Sequence, residues 1–159
     1  MIERTLVLLK PDGVQRGLSG RILARFEDAG LKIIGIKMKL VDTAFAKKHY
    51  HAHVGKKFYA GLEEMITEGP VIAIALEGVH AVEVVRKMVG STEPKTAPPG
   101  TIRGDFAHHS YTSADAKGKA IKNLVHASGT AAEAQEEIAL WFTPAELHKY
   151  KSVHEMHVF

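Results

Sequence analysis

No apolar run in this 159-residue chain is longer than the six residues from Val71 to Leu76. A helix that crosses a bilayer needs about 20. The chain must therefore build its core from short buried segments and amphipathic helices. Thr5 to Lys10 and Val71 to Leu76 are apolar without alternation and lie beside turn formers, Pro11-Asp12-Gly13 and Gly69-Pro70. They read as strands buried on both faces. Leu31 to Val41 alternates apolar residues with lysines, the pattern of a strand with one more exposed face. Ala120 to Val125 supplies a fourth strand.

Helical spacing fills the intervals. Ser19 can cap a helix with Ile22, Leu23 and Phe26 on one face and Gly30 just past its end. Residues 43–52 and 58–67 read as two short helices, Ala81 to Met88 as a third, and Ala131 to Phe142 as the last. Thr130 and Glu133 form a T-x-x-E capping box before that last helix. Gly90 to Gly104, with three prolines, reads as a long irregular loop. The order β-α-β-α-α-β-α-loop-β-α is a split βαβ pattern. It predicts an α+β sandwich of ferredoxin-like type, a four-stranded antiparallel sheet covered by helices. No repeat or linker divides the chain, so residues 1–159 are expected to form one domain.

Composition narrows the function classes. At 45% hydrophobic and 25% charged, the chain is globular rather than disordered. The absence of cysteine excludes disulfides, Cys-ligated zinc and thiol catalysis. No signal peptide is readable at the N-terminus, and a cytoplasmic protein without a membrane partner is expected. The net charge of +3 is too small to indicate a nucleic-acid partner, but it is unevenly placed. Arg86 to Lys122 holds seven Lys/Arg against three Asp/Glu, an excess of +4 that exceeds the total. An anionic partner is to be sought there.

The chain has no G-x-x-x-x-G-K-[ST] loop and no kinase-type Gly-rich loop. A phosphate site would have to be made by side chains. Lys10 ends the first buried strand, where open sheets tend to bind ligands, although a snorkelling lysine has the same position. Arg86, Thr92 and Arg103 bracket the Pro/Gly loop; two guanidiniums and a hydroxyl suit an oligophosphate, and singly each also fits a solvated surface. His126 follows the fourth strand in Asn123-Leu-Val-His-Ala-Ser128, and Glu137 lies eleven residues on, along an apolar helix stripe. A carboxylate paired with that imidazole would fix its tautomer and raise its basicity. Spacing alone favours a structural histidine and a carboxylate at the stripe's edge. Tyr50 and Phe58 could stack on a base or lie in the core. The remaining nine histidines, His49, His51 and His53 among them, read as surface residues, because alternate spacing on a helix scatters ligands and no carboxylate completes a metal set.

Taken together, Glu3 to Gly17 (E-R-T-L-V-L-L-K-P-D-G-V-Q-R-G), Pro99-Gly-Thr-Ile-Arg-Gly-Asp-Phe106, Asn123-Leu-Val-His-Ala-Ser128 and Glu137-Ile-Ala-Leu-Trp-Phe142 resemble the nucleoside diphosphate kinases, in order and over nearly the whole chain. The resemblance implies a ping-pong reaction between nucleoside tri- and diphosphates, through a phosphohistidine on His126. It implies that Glu137 and Ser128 orient the ring, that Lys10, Tyr50, Arg86, Thr92 and Arg103 hold phosphates, and that Lys10 and Asn123 reach the ribose. Phe58 would stack on the base with Leu62 beside it, giving tolerance of any base and of either sugar. Mg²⁺ would arrive on the nucleotide phosphates, and a homo-oligomer, a hexamer rather than a tetramer, is implied. The sequence departs from the family at Gly129, where an acid usually follows the serine, in a longer stretch from Ala107 to Ala120, and in its ending His-Val-Phe. An RNA-recognition domain has the same split layout, but its sheet carries paired aromatics where these strands carry Leu, Val, Ile and Ala. A nucleotide-binding regulator without turnover is the other reading the fold would allow.

Overall fold

In a computed structural model describing residues 1–159, four strands form one sheet in the order β2-β3-β1-β4. They are β1 (Ile2–Leu9), β2 (Lys32–Leu40), β3 (Pro70–Val79) and β4 (Val125–Ala127). Every neighbouring pair is antiparallel, as the split βαβ reading requires. β1 is central because its apolar run can be covered on both faces. Leu6 and Leu8 join one core layer with Ile66, Ala75, Ile138 and Trp141. Val7 and Leu9 point the other way, to Ile22, Phe26, Val85 and Ile102. All four are fully buried, each contributing about 1.5–3 kcal/mol of burial.

The helices are α1 (Pro11–Gln15), α2 (Ser19–Asp28), α3 (Thr43–His49), α4 (Tyr59–Thr67), α5 (Ala81–Val89), α6 (Ile102–Phe106), α7 (Tyr111–Asp115), α8 (Ala131–Trp141) and α9 (Glu155–Val158). Several local readings need correction. Pro11-Asp12-Gly13 opens α1 rather than turning the chain, with proline at the first helical position where its missing N–H costs nothing. Ser19 is the first residue of α2 and does not cap it; that place falls to Leu18. The fourth strand begins five residues later than its propensity indicates, because Leu124 has φ +72° and cannot continue a strand. His126 consequently lies within β4, paired with Leu8, rather than beyond it. The Gly90–Gly104 loop ends inside α6, whose cap is Thr101.

β2 is an edge strand with a bulge between Ile33 and Gly35. The C-terminal segment covers that bulge: His148 N–H donates to the Ile34 carbonyl at 2.7 Å and Tyr150 Oη to the Ile33 carbonyl at 2.6 Å. Beside it, Lys32 Nζ bridges Glu77 at 2.9 Å and Glu155 at 2.7 Å. Ile36, Met38 and Leu40 farther along the strand stay exposed. No helix is long and apolar enough to cross a membrane.

Candidate active site

The carboxyl end of β1, strand β4 and the ends of α3, α5 and α6 converge on one cavity of about 640 Å³. Lys10, Tyr50, Phe58, Leu62, Arg86, Thr92, Arg103, Asn123 and His126 all line it, and Glu137 and Ser128 stand behind His126. Residues separated by more than a hundred positions therefore share one wall.

His126 Nε2 lies 2.8 Å from Glu137 Oε1, and Ser128 Oγ donates to Glu137 Oε2 at 2.6 Å. An ionised carboxylate only accepts hydrogen bonds. Nε2 must then carry the ring proton, which leaves the Nδ1 lone pair free. Burial alone would raise the Glu137 carboxyl, but the bond and charge from His126, with the Ser128 hydroxyl, hold it below the usual carboxylate range. Ser128 acts on the imidazole through Glu137 rather than directly.

His49, expected at the surface, is buried behind this pair. Its ring meets that of His126 edge-on at 4.8 Å, and its Nδ1 accepts from Trp141 Nε1 at 3.2 Å. Indole can only donate, so the His49 proton sits on Nε2. Burial, with His126 adjacent, lowers its pKa to about 3 and keeps it neutral. His49, His126 and Glu137 bring one potential ligand atom each within 4.8 Å, yet this tautomer gives His49 no lone pair to offer a metal.

The cationic wall is built on a strained turn. Leu124 is held at positive φ by its N–H to Asp12 Oδ2 at 3.0 Å and by its carbonyl, which accepts from Lys10 N–H at 2.8 Å. A Cβ at Gly13 would come within 3.1 Å of that carbonyl oxygen, so a side chain there would press on the turn, and glycine lets α1 approach it closely. The turn aims Asn123 at the site: its Oδ1 accepts from Lys10 Nζ, and its Nδ2 donates to the Thr92 carbonyl at 2.8 Å. Burial lowers the Lys10 pKa to about 8, with Arg103 and Lys122 adding to the effect against Asp12.

Arg103 is buried and gives three N–H groups to carbonyls, of Asn123 at 3.1 Å, Gly90 at 3.0 Å and Val125 at 2.7 Å. Guanidinium has five N–H donors, so two remain for a ligand. Burial, then repulsion from Arg86, lowers its pKa to about 10, leaving it charged at neutral pH. Arg86 and Thr92 are at the cavity rim.

Phe58, 54% exposed, forms the apolar end of the cavity with Leu62; the His53 ring lies 5.4 Å from it. His53, Tyr111 and Glu133 line the cavity too. His53 was readable only as one of several alternating histidines, and Tyr111 sits in the stretch where no family position carries over. Glu133 was visible as a capping residue; its carboxylate accepts from Gly129 N–H at 2.9 Å rather than from Thr130, whose side chain does cap α8. Glu133 thus occupies the space left by the missing side chain at Gly129.

Mg²⁺ takes octahedral oxygen ligands and commonly binds through substrate phosphates plus one or two carboxylates. A cavity with Lys10, Arg86 and Arg103 on its walls and one carboxylate, Glu133, at its rim fits a metal that arrives with its phosphates.

Comparison with known proteins places this geometry in a family. The family model described as nucleoside diphosphate kinase matches residues 3–147. The chain is 50% identical to the nucleoside diphosphate kinase of Pyrococcus furiosus, over 94% of this chain and 88% of that one. It is 51% identical to that of Thermus thermophilus, over 92% and 99%. The solved nucleoside-diphosphate kinase of Borrelia burgdorferi, a transition-state mimic with bound vanadate and ADP, superposes with a TM-score of 0.95 at 44% identity, over 99% of this chain and 96% of that one. The halophilic enzyme of Halobacterium salinarum, in complex with CDP, gives 0.87 at 40% identity, over 100% and 99%. The chain belongs to the nucleoside diphosphate kinase family.

Proposed function

We propose that His126 carries the phosphoryl group in this chain's nucleoside diphosphate kinase reaction, through Nδ1. The single observation that carries the reading is the Nε2–Glu137 hydrogen bond at 2.8 Å, which presents the Nδ1 lone pair to a cavity walled by Lys10, Arg86 and Arg103. In the first half-reaction Nδ1 attacks the γ-phosphorus of a nucleoside triphosphate. The bond to the β–γ bridging oxygen breaks, and its electron pair leaves with the diphosphate. In the second, the terminal oxygen of another nucleoside diphosphate attacks the phosphohistidine and the N–P bond returns its pair to the ring. Glu137, fixed by Ser128, keeps the Nε2 proton in place and stabilises positive charge that develops on the imidazole. Lys10, Arg86 and Arg103 stabilise charge on the transferred oxygens, and Tyr50, Thr92 and Asn123 position the phosphates and sugar. When bound with the nucleotide, Mg²⁺ neutralises charge on those phosphates.

Phe58 and Leu62 face the base. Stacking reads a π face that every base has, which supports broad base tolerance. We propose further that residues 1–159 act as one cytoplasmic domain, and that the chain assembles as a homo-hexamer rather than a tetramer. The exposed apolar stripe Ile36, Met38 and Leu40 on an edge strand supports self-association. Light scattering in solution decides between the two assemblies.

The phosphohistidine is tested by incubation with γ-labelled ATP and Mg²⁺. The protein is expected to keep an acid-labile, base-stable label that GDP discharges as GTP. A wild type that keeps no label, or a His126→Ala variant that labels equally, overturns the assignment.

A further inference from the structure

Asp12 is a buried carboxylate behind the cationic wall, and no step of the phosphoryl transfer uses it. Its Oδ2 accepts from the N–H of Leu124, 112 positions away, at 3.0 Å. Its Oδ1 is buried with no hydrogen-bond partner in the protein. The two oxygens have different surroundings, and each bears on the site.

Oδ2 acts on a turn. Leu124 sits at φ +72°, a conformation that a residue with a side chain adopts only when its neighbours hold it there. Two hydrogen bonds do so: the one to Asp12, and Lys10 N–H to the Leu124 carbonyl at 2.8 Å. The cationic wall hangs from this turn. Asn123, one residue before it, accepts from Lys10 Nζ. Arg103 donates Nε to the Asn123 carbonyl at 3.1 Å and an Nη2 proton to the Val125 carbonyl at 2.7 Å, so it grips the chain on both sides of Leu124. His126 comes next in β4. A backbone rotation at Leu124 would therefore displace Asn123 and Arg103 together, and Lys10 through Asn123.

Oδ1 raises the question of charge. Accepting one N–H does not require a carboxylate, because an amide oxygen does the same. A carboxylate oxygen taken out of water and left unpaired is costly unless nearby cations balance it. Lys10 and Arg103 are buried cations within reach of its field. On Lys10, burial is the largest influence, Arg103 and Lys122 act alongside it, and Asp12 opposes them. On Arg103, burial and Arg86 act in one direction, Tyr111 and Asp12 in the other. Lys122 is itself paired with Glu68. Asp12 is thus the negative charge that serves both buried cations.

We infer that Asp12 is a positioning residue for phosphoryl transfer, which clamps the Leu124 turn through one carboxylate oxygen and supplies the buried counter-charge to Lys10 and Arg103. This role rests on the reading of Lys10, Arg103 and Asn123 as ligands of the nucleotide; Asp12 acts through them and lies outside the cavity lining.

Asp12→Asn and Asp12→Ala separate the two parts. The first keeps an oxygen to accept from Leu124 and removes the charge; the second removes both. Wild type is measured first, and if it forms no phosphoprotein from ATP and Mg²⁺, the nucleotide reading fails and this role falls with it. Removing the charge that opposes burial lowers the Lys10 pKa further. The pH above which ADP affinity declines should then move down from about 8 by about one unit in Asp12→Asn. A merely structural residue would weaken binding at every pH without moving that midpoint. At about pH 6 Lys10 is an ammonium ion in both variants, and there Asp12→Ala should form phosphoprotein about 10- to 100-fold more slowly than Asp12→Asn, the cost of displaced positioning groups.

An unmoved midpoint in Asp12→Asn overturns the counter-charge, and equal rates in the two variants overturn the clamp. An Asp12→Asn chain that does not fold also overturns the clamp, because its amide oxygen is expected to hold the turn. Thermal unfolding of both variants shows that the rates are read on folded protein. If Asp12→Ala alone fails to fold, the clamp is upheld and the midpoint in Asp12→Asn decides the counter-charge.

Discussion

His126 and Glu137 share a hydrogen bond of 2.8 Å, and its direction is settled by the carboxylate, which can only accept. The proton on Nε2 leaves Nδ1 as the free ring nitrogen, the atom we propose carries the phosphoryl group. This one bond connects a strand of the sheet to a helix packed on its face, so the His126 ring is aligned by the same packing that forms the core.

Replacing Glu137 with Gln keeps the shape and removes the charge. Transfer should slow by about 10- to 100-fold, the usual effect of removing a carboxylate that orients a working histidine. Nucleotide affinity should stay near wild type, because Glu137 stands behind the ring. Single-turnover phosphorylation and equilibrium ADP binding separate the two. A large loss of affinity with unchanged turnover would contradict the orienting role.

Lys10 links pH to binding and to stability. Its folded pKa of about 8 lies below the ordinary 10.5. Between these values the unfolded chain binds more protons than the folded one, so this group makes stability rise with pH across that window. Bound phosphates favour the ammonium form, so nucleotide binding should take up protons there and weaken as pH climbs past about 8. Calorimetric ADP titrations in buffers of different ionisation enthalpy measure the uptake. Lys10→Met should bind more weakly and lose it; an uptake unchanged in that variant would assign the proton elsewhere.

The fold was legible in its strand runs and helical faces because those patterns follow from burial on one or two faces of a sheet. What stayed hidden was non-local. Leu124 has an ordinary strand-forming side chain, and only the hydrogen bonds with Asp12 and Lys10 hold it at positive φ and delay β4 to Val125. His49 looked like one member of an exposed alternating trio; its burial depends on Trp141, 92 positions away. Most of the residues that line the cavity stand out by resemblance and by residue type, whereas His53 and Tyr111 belong to stretches whose spacing gives no chemical signal.

Trp141 provides a stability test of the His49 environment. Trp141→Phe keeps most of the ring packing against Phe45, now 4.8 Å between centroids, but removes the only donor to His49 Nδ1. Leaving that buried acceptor unpaired should cost about 1–3 kcal/mol. Denaturant unfolding measures it, and a loss within error would mean that the indole bond contributes nothing.

Gly104 follows Arg103 directly, and a side chain there would overlap the Pro98 carbonyl. Gly104→Ala should force the loop away from α6, destabilise the protein by about 1–3 kcal/mol and weaken nucleotide binding through a displaced Arg103. Unfolding and ADP titration run together check it; wild-type values for both would show that the loop yields freely.

The most direct test of the account is the identity of the phosphorylated atom. After reaction with ATP and Mg²⁺ in the absence of an acceptor, intact-mass and phosphorus NMR measurements should find one phosphoryl group per chain, on Nδ1 of His126, removed on addition of GDP. A phosphoryl group on Nε2, on another residue, or one that GDP does not remove would contradict it.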